Sequence, residues 1–231
     1  MYPKLSNLIA TDHLENDKAV LFPAGSLIEV VGNVASGKST TAKDIAKYSN
    51  LFYADLSVHE KNPFLQLFVK KPKRWTFQTN LHFSTERARK LSKALKKTTF
   101  EPLVLDPGFD MGLHVYSRAS YLMGDMTREE WELLEKLHNQ LLEEQPKIYA
   151  TIFLDVPIPA LLQRIHLRGR RHELQYSKKY LELLDKSLHE YKRELIALKA
   201  RKVVITYTQL VKDIQFHGKV DPKLEKILKV L

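Results

Sequence analysis

Short apolar runs separated by longer amphipathic stretches organise this chain. The runs "LIEVV" (27–31), "LFYA" (51–54), "LVLD" (103–106), "YATIFLD" (149–155) and "KVVIT" (202–206) are short and rich in branched or aromatic residues. That pattern predicts buried strands. Between them, apolar positions recur at helical spacing over 38–49, 73–97, 127–144, 157–168 and 177–199. Strand–helix alternation of this kind predicts an α/β protein whose five-stranded parallel sheet is flanked by helices. Ligands then bind beyond the carboxyl ends of the strands, where right-handed crossovers leave a crevice. No repeat, low-complexity tract or Gly/Pro-rich linker divides the chain, so one domain is expected over residues 1–231. The last stretch, "DPKLEKILKVL" (221–231), reads as a short amphipathic helix with a basic side.

Composition narrows the setting. Apolar residues make up 44% and charged residues 28%, as in soluble globular proteins. No apolar run approaches the roughly 18–20 residues that cross a bilayer, and the N-terminus lacks a basic region followed by an apolar one. The expectation is a cytoplasmic protein with no membrane partner. The absence of cysteine rules out disulfides and thiolate–zinc sites. A formal charge of +10 suits polyanions, whether nucleotide phosphates or nucleic acid. The basic clusters "KKPKR" (70–74) and "KALKK" (93–97) sit in helical surroundings and read as solvated faces, so nucleic acid is the lesser expectation.

One segment carries specific chemistry. Gly32, Asn33, Val34, Ala35, Ser36, Gly37, Lys38 and Ser39, followed by Thr40, match G-x-x-x-x-G-K-[ST] at every fixed position. The segment follows a predicted strand and opens a predicted helix. Glycines let the backbone curl so that successive N–H groups point inward, and the helix start adds partial positive charge. Lys38 then reaches the outer phosphates of ATP, and the Ser39 hydroxyl can ligate Mg²⁺. A plain strand-to-helix turn would explain the glycines but not the adjacent lysine and serine.

Three further segments, with this loop, resemble the deoxynucleoside kinase family, P-loop enzymes that phosphorylate the 5′-hydroxyl of deoxynucleosides. They are "NPFLQLFVKKPKRWTFQTNLHFSTER" (62–87), "LDPGFDMGLHVYSRASYLMGDMTREEW" (105–131) and "RIHLRGRRHELQYSKKYLELL" (164–184). The likeness covers roughly residues 27–195 and implies a P-loop kinase-like fold with an arginine-rich lid. It places Arg164, Arg168 and Arg170 in the lid, where guanidinium groups stabilise charge on the transferring phosphoryl. Glu173 would accept from the sugar 3′-hydroxyl. Asp106, which ends the third strand, would help hold Mg²⁺. Asn80 and Arg87, seven residues apart on one helical face, would meet the base, with Tyr116 and Phe77 available to stack on it. The carboxylate that takes the acceptor's proton falls just past the second strand, where Asp55 and Glu60 both stand. Asp55 directly follows the apolar run and is favoured. Glu60 is then a substrate-binding candidate. The family also suggests a homodimer, and the helix over 131–145 has a wide apolar face.

The resemblance breaks at the acceptor side. Pro107-Gly108 stands where the family has Arg-Ser, Val69 where a tyrosine meets the sugar, and Gly112 where an acidic or polar residue contacts the base. Arg118 or Arg74 could supply a guanidinium from elsewhere. The leading reading is an ATP- and Mg²⁺-dependent kinase of a small-molecule deoxynucleoside. The alternatives are a kinase of another acceptor, such as a nucleoside monophosphate or a polynucleotide 5′-hydroxyl, and a non-catalytic nucleotide-binding subunit.

Overall fold

The computed structural model describes residues 22–58, 62–98, 101–171, 173–199, 201 and 203–208. Glu60, His172 and the helix expected over 221–231 lie outside the described residues.

β1 (Leu27–Gly32) is buried at every position, which is why its sequence is a nearly unbroken apolar run. It lies between β3 (Leu103–Asp106) and β4 (Ile148–Asp155). β2 (Phe52–Asp55) pairs with β3, and β5 (Val203–Thr208) pairs with β4. The strands among the described residues therefore run in the order β2-β3-β1-β4-β5, and every pairing is parallel. Edge strand β2 buries only Ala54 fully.

The five expected helices are present as α1 (Lys38–Tyr48), α3 (Pro72–Lys97), α5 (Arg128–Glu143), α6 (Ile158–Arg168) and α7 (Lys178–Ala197). Their starts are written locally. Thr127 and Glu130 form a reciprocal capping box at α5, and the Ser177 hydroxyl accepts from the Tyr180 N–H at 3.1 Å at α7. Further helical segments, a short 3₁₀ turn over Glu173–Gln175 among them, have no counterpart in the sequence expectation. α2 (Leu65–Lys70) is under two turns long and stops at Lys71, whose extended backbone (φ −141°) is what a residue preceding proline adopts. A π-helical stretch, Gly112–Ser117, runs into α4 (Arg118–Leu122).

Helices cover both faces of the sheet. On one, Ala42 and Ile45 of α1 pack on Ile28, Val30, Val104 and Ile152. On the other, Leu181, Leu184 and Leu188 of α7 pack with Val31, Phe153 and Val115. Ala88 and Leu91 of α3 close over Leu103 and Leu105. Fully burying each such side chain contributes about 1.5–3 kcal/mol, so the central strands are held chiefly by these helix contacts. Through Trp131 and Leu134, α5 faces Leu113, Met126 and Phe77, and its Leu141 and Leu142 face the α3 layer. Much of the apolar face of the 131–145 helix is thus covered by the chain's own core. Among the described residues no helix is long and apolar enough to cross a membrane.

Candidate active site

The carboxyl ends of β1, β2 and β3 open on one cleft. Its wall includes the loop Val34–Thr40, Ser57, Asp106, Pro107, Asn80, Arg87, Tyr116 and, opposite, Arg168, Arg170 and Glu173.

The loop after β1 is built for close approach. A Cβ on Gly32 would stand 2.5 Å from the Ser36 hydroxyl and 3.0 Å from Leu154 Cβ, so only glycine fits there. Gly37 has φ +94° at the N-terminus of α1, a conformation that strains side-chain-bearing residues. Asn33 ties the loop down from outside. Its Nδ2 donates to the Leu181 carbonyl at 2.8 Å, and its Oδ1 accepts from the Val34 N–H at 2.8 Å. The Lys38 ammonium lies over the curl, donating to the carbonyls of Gly32 (3.0 Å) and Asn33 (2.7 Å). Ser39 and Thr40, exposed in the first turn of α1, complete the cradle.

The three arginines expected in the lid are held differently. Arg164, on α6, donates to the loop carbonyls of Ala35 (3.4 Å) and Ser36 (3.3 Å), and so braces the cradle from behind. α6 ends at Gly169. Arg168, its last residue, and Arg170, just past that glycine, converge on Glu173, which is only 5% exposed. Arg168 binds one carboxylate oxygen through Nε (3.0 Å) and Nη2, while Arg170 Nη1 reaches the other at 3.4 Å. The two guanidinium groups are about half exposed at the cleft mouth.

Carboxylates end β2 and β3. Asp55 and Asp106 are register partners in a parallel pair, so their side chains project to the same face. Asp106 is buried in the cleft wall, and its Oδ2 accepts from the Tyr53 hydroxyl at 2.7 Å. Asp55 is exposed at the edge, with Oδ1 accepting from the N–H (2.8 Å) and hydroxyl (2.5 Å) of Ser57. The structure thus brings Asp106 and Ser57, but not Asp55, into the cleft wall.

On the acceptor side, α3 presents Thr79, Asn80, Phe83 and Arg87. The Asn80 Nδ2 donates to the Thr76 carbonyl at 2.9 Å. Arg87 lies 5.4 Å over the Phe83 ring. Burial lowers its pKa, while Tyr116 and Asp106 pull the other way. Tyr116 lines the cleft as expected, but Phe77 does not. It packs with Leu113, Met126 and Leu134, and the aromatic rings in the wall are instead Phe68, Phe83, Tyr176 and Tyr180. Phe83 was recoverable from spacing, since Asn80, Phe83 and Arg87 fall at i, i+3 and i+7. Tyr176 and Tyr180 sit beyond the lid, and nothing in the local pattern separates them from core.

The substitute guanidinium groups are engaged elsewhere. Arg118 pairs with Glu194 (2.8 Å) and Glu190 (3.8 Å) on α7, and Arg74 stacks 4.6 Å over Trp75. Gly108 has a steric basis: a Cβ there would lie 2.5 Å from Glu29 Oε2 and 2.7 Å from Val31 Cγ1. Glu29 belongs to a buried network behind the cleft. Its Oε1 accepts from Tyr191 (2.8 Å) and Thr151 (2.9 Å), and the Tyr191 hydroxyl also reaches Asp110 (3.2 Å). Asp110 in turn contacts His138 (3.1 Å) and Arg201.

A curled loop opening a helix beside the central strand, facing Arg168 and Arg170 across the carboxylate that ends β3, defines the class of P-loop phosphotransferases. The sequence profile of the deoxynucleoside kinase family matches residues 28–228, and the chain belongs to that family. A deoxyadenosine/deoxycytidine kinase of Bacillus subtilis (strain 168) is 30% identical over 165 residues, covering 69% of this chain and 73% of the relative. A deoxyguanosine kinase of the same strain is 28% identical over 161 residues, covering 68% and 73%. Among solved structures, a deoxyadenosine kinase from M. mycoides with bound dATP superposes with a TM-score of 0.69 at 20% identity, covering 88% of this chain and 97% of that one. At that identity the likeness speaks for the fold.

Proposed function

We propose that this protein transfers the terminal phosphoryl group of ATP to the 5′-hydroxyl of a deoxynucleoside, acting as one domain. The observation that carries the reading is the convergence of the Lys38 loop, the Arg168–Arg170–Glu173 lid and the Asn80–Arg87 face on one cleft. Membership of a nucleoside kinase family favours a small-molecule acceptor over a polynucleotide.

Each role follows from position. The backbone N–H groups of 33–39 and the Lys38 ammonium bind the phosphates. Gly32 has no Cβ to close the cradle, and Ser39 with Asp106 provides hard oxygen donors in one cleft, a set that fits Mg²⁺. When bound there, Mg²⁺ supplies charge neutralisation on the phosphate oxygens. Arg168 and Arg170 exchange Glu173 for the transferring phosphoryl, and Arg164 keeps the loop in shape. Glu173, once released, accepts from the sugar hydroxyl. Asn80, Arg87 and Tyr116 receive the base. Asp55 stands outside the cleft wall but shares the Asp106 face and is held by Ser57, which does line the cleft, and on that ground is assigned the proton of the attacking hydroxyl.

ADP release coupled to a dye, measured across a nucleoside panel, tests this. Lys38→Ala should lower kcat about 10²–10³-fold, as expected for losing a preorganised cation or donor, without changing the thermal transition. Equal turnover by the variant would refute the reading.

A further inference from the structure

We infer that the acceptor pocket selects a 6-oxopurine base over a 6-aminopurine base. The inference rests on the nucleoside kinase reading above and deepens it.

Arg87 is the unusual residue. Its side chain is 4% exposed, lines the cleft, and among the described residues makes no hydrogen bond and no ion pair, with Nε left unpartnered. A buried guanidinium is costly unless its donors are met. The two carboxylates that line the same cleft are held by others, Asp106 by Tyr53 and Glu173 by the lid arginines. Gly112 stands against Arg87. A Cβ there would lie 2.5 Å from Nη1, so the guanidinium occupies the space in which another residue would carry a side chain. The cleft at this point therefore offers a cation and several N–H donors, and neither cleft carboxylate is hydrogen-bonded or ion-paired to them.

Asn80 contributes the complement. Its Nδ2 donates to the Thr76 carbonyl, which leaves Oδ1 as the acceptor end of the carboxamide. The pocket thus presents a donor fork next to one acceptor. The matching ligand edge has two adjacent acceptors followed by an N–H. In a 6-oxopurine these are N7, O6 and N1–H, and an arginine fork on O6 and N7 is a strong planar pairing. A 6-aminopurine places an NH₂ where O6 would be. That group would face the guanidinium donor to donor and leave both unpaired in a desolvated site. Phe83 and Tyr116 stack on either ring equally and do not discriminate.

The test compares kcat/KM for deoxyguanosine, deoxyinosine and deoxyadenosine with the full-length protein, ATP and Mg²⁺. Deoxyinosine lacks the 2-amino group, so it isolates the 6-position. Deoxyguanosine and deoxyinosine should each exceed deoxyadenosine by at least about tenfold, the scale of one bidentate base contact. Gly112→Asp adds an acceptor beside Arg87 and displaces only the end of a flexible side chain. It should shrink that ratio by about tenfold or more. If the variant fails to fold, Arg87→Lys gives the same information: it keeps the charge but loses the fork. It should lower kcat/KM for deoxyguanosine about tenfold or more and change deoxyadenosine less. Deoxyadenosine turned over as well as or better than deoxyguanosine overturns the base assignment alone. No turnover of any nucleoside overturns the kinase reading beneath it.

Discussion

At the scale of single residues, the site divides into positions whose chemistry depends on type and positions whose chemistry depends on surroundings. Gly32, Gly37, Lys38 and Ser39 are of the first kind, and their pattern is visible because the loop is local in sequence. Arg87 is of the second kind. Its burial against Gly112 joins α3 to the π-helical stretch, a contact no spacing rule announces. The same holds for Arg74 and Arg118, which look available in the sequence and are held by Trp75 and by the glutamates of α7. The proton acceptor can be tested at this scale. Asp55→Asn keeps shape and the Ser57 contacts but removes basicity, so kcat should fall about 10²–10⁴-fold, the usual worth of a general base. Thermal stability should change little, because Asp55 is exposed. If Asp55→Asn turns over as fast as the unchanged protein, Asp55 is not the base.

At the scale of elements, the sheet and five principal helices were legible because each is long enough to show its period or short and apolar enough to be a buried strand. α2 and the 112–122 segment were not. α2 is too short to repeat a period, and a π-helical stretch shifts the apolar positions off the 3.6-residue pattern. The lid was legible as a charged turn after α6, but its resting arrangement was not. Arg168 and Arg170 both engage Glu173, an ion-pair cluster that substrate would have to rearrange in the proposed reaction. Glu173→Gln loosens this cluster and weakens acceptance from the sugar. The expected result is a raised KM for the nucleoside with a smaller effect on KM for ATP, read from initial rates with each substrate varied in turn. A selective rise in KM for ATP would show instead that Glu173 orders the phosphate side.

At the scale of the whole molecule, a buried polar network ties distant parts of the chain together behind the cleft. Glu29 of β1 meets Thr151 of β4 and Tyr191 of α7, while Asp110, just after β3, meets His138 of α5 and Arg201 before β5. Burial, and then the negative Asp110, raise the Glu29 carboxyl to about 7 from 4.5, against the opposing pull of Arg201, Tyr191 and Thr151. A carboxyl that binds its proton more tightly in the fold than in the unfolded chain stabilises fully below 4.5, and that contribution is lost as pH rises through 7. His114, stacked 4.7 Å from Tyr191, does the reverse. Burial lowers it to about 4 from 6.5, so its contribution is present above 6.5 and lost as pH falls through 4. The two groups squeeze stability from opposite sides. Glu29→Gln keeps the shape and an acceptor for Tyr191 and Thr151 but cannot ionise. Its unfolding free energy, measured in urea from about pH 5 to 8, should therefore lose the alkaline decline that the unchanged protein shows through neutrality. The difference between the two proteins should grow in the variant's favour as pH rises. A difference that stays constant across that range would mean the Glu29 carboxyl has the same protonation state in the fold as in the unfolded chain.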